Sequence, residues 1–118
     1  MVIRIVDELE SAELNSRYRH RNSATNILSF PWVAPDLPDL VFSEMALLGD
    51  LVVCAPVLAR EAQQQNKILE DHWAHIIVHG LLHLLGYDHL TEDEALLMEK
   101  QEISILQKLN ISDPYWIP

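Results

Sequence analysis

The sequence is short of the residues that would staple, coil or anchor it. It has one cysteine, Cys54, in the apolar run LVVC. That excludes an internal disulfide and a thiolate metal site and leaves a buried apolar thiol as the expectation. Glycine occurs three times in 118 residues, and no internal repeat or low-complexity tract is present, which sets aside repeat and disordered architectures. Positive charge is scarce too. Eight Lys and Arg face 18 Asp and Glu, for a net charge of −10. Phosphate neutralisation requires cations, so a protein that coats nucleic acid without specificity is excluded and no DNA partner is expected. No apolar run approaches the roughly 18 residues of a membrane span. The opening MVIRIVDELE lacks the basic start and long apolar stretch of a signal peptide, so a cytoplasmic protein with no membrane partner is expected.

What is present fits a soluble globular chain. It is 49% hydrophobic and 22% charged, and its length predicts one domain over residues 1–118. The charge is unevenly spread. Leu14 to Pro35 holds Arg17, Arg19, His20 and Arg21 with no acid, whereas Asp88 to Asp113 holds seven acids against Lys100 and Lys108. A basic stretch inside an acidic protein points to a focused anion contact.

Periodicity supplies the elements. VIRIVD is a β-branched run that predicts a strand, and ELESAELNSRY a helix after it. TNILSF at 25–30 predicts a second strand stopped by Pro31, followed by a long irregular connection with three prolines through PWVAPDLPDLVFSEMALL. GDLVVC predicts a third strand, with Pro56 opening the helix of VLAREAQQQN. Leu69 to Leu85 is apolar nearly all round and predicts a buried central helix ended by Gly86. Thr91 and Glu94 fit a capping box before an amphipathic helix, and DPYWIP reads as a non-helical tail. The fold class expected is α+β, a small mixed sheet of about three strands packed with helices.

The stretch HGLLHLLGYDH, residues 79–89, carries the chemistry. His79 and His83 are four apart, so a helix aims both rings at one point. Gly86 lets the chain fold back so that His89 approaches from a third direction. Three nitrogen ligands with a vacant fourth position make a catalytic rather than structural zinc site, although nickel or copper would also bind such a set. His72 and His75 extend the helix upstream and read as packing or surface residues outside the ligand set. The spacing matches the zinc-protease pattern H-E-x-x-H-x-x-G-x-x-H at every position except one, where Gly80 replaces the glutamate. Glycine cannot act as the general base, so peptide hydrolysis by that route is disfavoured. A Gly80→Glu substitution would separate a latent protease from a nuclease.

With these residues in view, the chain resembles the YbeY family of bacterial rRNA maturation endoribonucleases. The resemblance runs through YRHRNSATNILSFP, LLGDLVVC and HWAHIIVHGLLHLLGYDH. It implies a metal-dependent, single-strand-specific RNA hydrolase acting in 16S rRNA 3′-end maturation and ribosome quality control. By motif it implies ligands at His79, His83 and His89, one Zn2+ per chain and a functional Arg19. It also implies single-stranded RNA and rRNA as partners, with small-subunit ribosomal proteins and an assembly GTPase. An arginine fork suits that role because it binds two phosphate oxygens at once. Asp50 and Asp88 are candidates for orienting the ligands, or else strand-end and turn residues.

Family members usually begin with a further strand and helix, so this chain reads as shortened at its N-terminus. RNSA also stands where the family often has lysine, aspartate and proline. Two other readings stay open: a metal-dependent hydrolase of a peptide or ester, and a non-catalytic ribosome-assembly module with a structural metal. Attack by water or by a 2′-hydroxyl is equally open.

Overall fold

The computed structural model describes residues 1–31 and 49–115. The proline-rich connection expected between the second and third strands, and the last three residues of the tail, lie outside the described residues.

The described elements run β1 (Ile3–Val6), α1 (Glu8–Arg19), β2 (Ile27–Pro31), β3 (Gly49–Cys54), α2 (Ala55–Gln64), α3 (Leu69–Leu84) and α4 (Glu92–Lys108). The sheet order is β1-β3-β2, with β1 parallel and β2 antiparallel to β3, so the α+β class with a small mixed sheet is what the chain adopts. β3 is central and apolar because both its edges are paired: Leu51 and Val53 are fully buried. Pro31 is the last residue of β2, tolerated because among the described residues β2 has no strand on its outer side and so no ladder bond to lose there. β2 begins two residues later than expected, because Thr25 exchanges hydrogen bonds with Ser11 instead, its amide donating to Ser11 Oγ and its carbonyl accepting from it, both at 3.0 Å.

α1 starts at Asp7, whose carboxylate accepts the Glu10 amide at 2.8 Å, and ends at His20 in the left-handed conformation. Its inner face is polar. Ser11 and Asn15 are buried and bond the backbone of Thr25 and Ser23, so α1 is tied to the chain that leads into β2. Pro56 sits in the first turn of α2, where its missing amide is not needed.

α3 explains its own composition. One side packs on the sheet through Ile76 and Leu84 against Ile27, Leu51 and Val53. The other side packs on α4 through Val78 and Leu82 against Met98 and Leu106. A helix covered on two sides needs apolar residues on both, and only a stripe is left over for polar side chains. The histidines occupy that stripe.

Candidate functional site

His72, His75, His79 and His83 follow one another along one line of α3, with neighbouring ring centroids 6.1, 6.5 and 4.6 Å apart. The helix then closes in a Schellman turn. Gly86 has φ +102, its amide donates to His83 O at 3.0 Å, and the Tyr87 amide donates to Leu82 O at 3.0 Å. A Cβ at Gly86 would meet nothing within 4 Å, so the backbone angle, not space, requires glycine. The turn sends Tyr87, Asp88 and His89 back over the helix end, as the sequence predicted. The His89 ring then lies 5.0 Å from His83 and 5.6 Å from His79, centroid to centroid. One nitrogen from each of His79, His83 and His89 falls within 4.8 Å of the others, a group able to hold a metal ion.

The donor set fits a metal on tautomer grounds. His83 Nδ1 lies 3.0 Å from Tyr87 O, a carbonyl that only accepts, so Nδ1 carries the proton. His79 Nδ1 lies 2.5 Å from Glu102 Oε1, again an acceptor. In neutral rings both Nε2 atoms then carry lone pairs, and they face each other at 3.1 Å. Two lone pairs at that distance repel unless a proton or a metal ion lies between them. Two imidazoles sharing one zinc at about 2.0–2.1 Å would hold their nitrogens roughly 3.3 Å apart at a tetrahedral angle, close to what is observed. Burial, then the neighbouring His79 and His89, lowers the His83 pKa, which keeps its ring neutral and available as a ligand.

Glu102 was not legible as a site residue. It is fully buried on α4, its Oε1 on His79 and its Oε2 3.0 Å from His75 Nε2, with the Tyr115 hydroxyl donating to Oε2 as well. Burial pushes its pKa up, but the hydrogen bonds from His75, His79 and Tyr115 outweigh burial and hold it down at about 2. Burial, together with the Glu102 hydrogen bond and charge, pushes the Tyr115 phenol well above its usual range. One signal could have found Glu102: it sits four residues from both Met98 and Leu106, a carboxylate on the buried seam of an amphipathic helix. His72 and His75 are likewise buried, each with its Nε2 hydrogen-bonded to a carboxylate. His72 Nε2 lies 3.0 Å from Glu61 Oε1, a carboxylate that Asn26 also reaches.

The other sequence candidates divide. Arg19 ends α1 and lines one cavity of about 670 Å³ with His79, His83, His89 and Asp88. It is exposed and has no ion pair among the described residues. Asp88 accepts the His89 amide at 2.8 Å and so holds the turn that presents that ring. Asp50 is not brought to the histidines. Strand alternation turns its neighbour Leu51 toward α3 and Asp50 away, and its carboxylate instead accepts the Val2 amide at 2.9 Å, fastening β1 to β3. The Gly80 substitution also fails as a test of chemistry. Gly80 is buried against the sheet, where a Cβ would come within 2.6 Å of Ile27 Cδ1 and 2.9 Å of Leu51 Cδ2, so a glutamate there would disturb the core as well as any chemistry.

Comparison with known proteins agrees with the geometry. The family model described as Endoribonuclease YbeY matches residues 1–110. The chain is 56% identical over 115 residues to Endoribonuclease YbeY of Pseudomonas entomophila, covering 98% of this chain and 71% of that protein. It is 55% identical over 115 residues to Endoribonuclease YbeY of Nitrosococcus oceani, covering 98% and 73%. A solution structure of a Thermotoga maritima protein superposes with a TM-score of 0.54 at 25% identity, over 92% of this chain and 70% of that one. On the family match, the close relatives and the fold together, the chain belongs to the endoribonuclease YbeY family.

Proposed function

We propose that the chain is a single-domain, zinc-dependent endoribonuclease that cuts single-stranded RNA, with 16S rRNA 3′-end maturation and ribosome quality control as its task. The reading is carried by one observation: the Nε2 lone pairs of His79 and His83 converge beside His89, in a cleft that Arg19 also lines. On this reading it works in the cytoplasm on rRNA, in company with small-subunit ribosomal proteins and an assembly GTPase.

His79, His83 and His89 would hold one Zn2+, since all three donors are imidazoles, which suit zinc and need no deprotonated thiol beside them. When bound, zinc supplies Lewis acidity toward a phosphoryl oxygen and toward water. The protein's own groups do the rest. The Arg19 guanidinium offers a planar fork to two phosphate oxygens and sets positive charge where the phosphodiester gains negative charge in its transition state. Glu102 keeps the proton on His79 Nδ1 and the Tyr87 carbonyl keeps the proton on His83 Nδ1, so both rings present their lone pairs throughout turnover.

The test is zinc content by mass spectrometry on tag-free protein, with His83→Ala alongside, each assayed on single-stranded RNA. About one zinc per chain is expected, with zinc and cleavage both lost in the variant. A metal-free wild type would remove the site, and metal without cleavage would leave an assembly module. The product ends identify the nucleophile: a 2′,3′-cyclic phosphate with a 5′-hydroxyl marks 2′-hydroxyl attack, and a 3′-hydroxyl with a 5′-phosphate marks water.

A further inference from the structure

One part of the cleft is not used by the chemistry above. Tyr18 stands beside Arg19 at the end of α1 and lines the same cavity, yet is 57% exposed. Its place on the helix makes that exposure informative. Ser11, Asn15 and Tyr18 share one face, at i, i+4 and i+7, and the first two are buried against the Ser23–Thr25 backbone. Tyr18 continues this inward face past the point where protein covers it, and there it overhangs the cleft. Phe30 braces it edge-on, with ring centroids 5.2 Å apart at 79°. The phenol oxygen has no hydrogen-bond partner among the described residues.

The outer edge of β2 borders the same cavity. The Cys54 amide donates to Asn26 O at 2.9 Å, which sets the phase of the ladder. Asn26, Leu28 and Phe30 therefore bond toward β3, and the backbone groups of Ile27 and Ser29 point away from it. Among the described residues β2 has no strand on that side. A flat aromatic face and a row of alternating donors and acceptors thus share one cleft with Arg19 and the three imidazoles.

We propose that Tyr18 is a base-stacking platform: an unpaired nucleobase of the RNA lies on its ring, next to the phosphate that Arg19 holds, with the β2 edge available to the base's hydrogen-bonding groups. The proposal rests on the RNA reading above and names where single-strand preference arises. A paired base has its faces stacked and its Watson–Crick edge occupied, so only an unpaired base can meet both the ring and the strand edge. Stacking also tolerates any base, because every base has a π-face.

The experiment titrates the full chain into single-stranded oligoribonucleotides carrying 2-aminopurine at successive positions, with Tyr18→Phe, Tyr18→Leu and Tyr18→Gln as variants. In the wild type and in Tyr18→Phe, fluorescence should be quenched at one position. Leu and Gln should abolish that quenching and weaken single-strand binding about 5- to 150-fold, with their circular dichroism unchanged. Quenching confined to one position and lost in either variant supports the platform. RNA bound by the wild type with no position quenched, or quenching that persists in Leu and Gln, overturns stacking while leaving the RNA reading intact. No RNA binding by the wild type overturns both.

Discussion

The histidine stripe on α3 has two halves built from the same residue and put to opposite use. At the N-terminal half, His72 and His75 are buried and each has its Nε2 on a carboxylate, Glu61 and Glu102. At the C-terminal half, His79 and His83 are partly exposed and turn Nε2 toward each other, with Nδ1 satisfied from behind. What separates the two halves is thus which nitrogen the partner occupies. His79 stands at the boundary, because Glu102 serves it and His75 with its two oxygens.

The comparison can be broken most severely at His83. His83→Ala should lower zinc affinity by more than about 100-fold, beyond the 10–100-fold typical of losing an outer partner. Equilibrium dialysis against zinc measures it, and melting in the metal-free state should move little. Glu102→Gln is the next largest and should strike both halves. Replacing the carboxylate by an amide weakens its charge-assisted hydrogen bonds to His75, His79 and Tyr115, and such bonds contribute about 1.5–3 kcal/mol, so stability should fall by that order. The substitution should also weaken zinc binding about 10–100-fold, because one neutral amide oxygen replaces the two charged oxygens that hold His79, His75 and Tyr115. Chemical denaturation and the same dialysis report the two effects separately.

His72→Leu sharpens the contrast. Among the described residues it leaves Glu61 with only the distant Asn26 amide, so a loss of about 1–3 kcal/mol in stability is expected, with zinc affinity unchanged. Were zinc affinity to fall as far as in Glu102→Gln, the two halves would not be distinct. Gly86→Ala should be the mildest, about 1 kcal/mol in thermal unfolding, from forcing an alanine to positive φ at a position with room for its methyl.

The parts legible in the sequence were those whose partners lie close along the chain. His79, His83, Gly86 and His89 form one turn and a half of helix plus a reversal, and spacing alone determines where they point. The strands announced themselves by β-branched runs and Thr91 by its cap, which the structure shows accepting the Glu94 amide. Glu102 and Tyr115 were hidden because they meet His79 and His75 only through the packing of α4 and the tail, which no local pattern encodes. Asp50, read as either a ligand-orienting or a strand-end residue, sits at the strand end with its carboxylate on the Val2 amide. Nearness to a site in one's reading of the chain is not nearness in space, and a single step along β3 decides which face a side chain takes.

The Schellman turn also bears on the order in which the molecule assembles. The three imidazoles lie within eleven residues and are brought together by a helix and its cap, so the loop to be closed is short and its entropic cost small. Helix and turn formation are the fastest events available to a chain, whereas Arg19 reaches the cleft only after the sheet has paired β2 with β3 across the long connection. The three histidines are therefore placed to come together early in folding and Arg19 late, which leaves the cleft they line incomplete until the rest of the chain has folded around it.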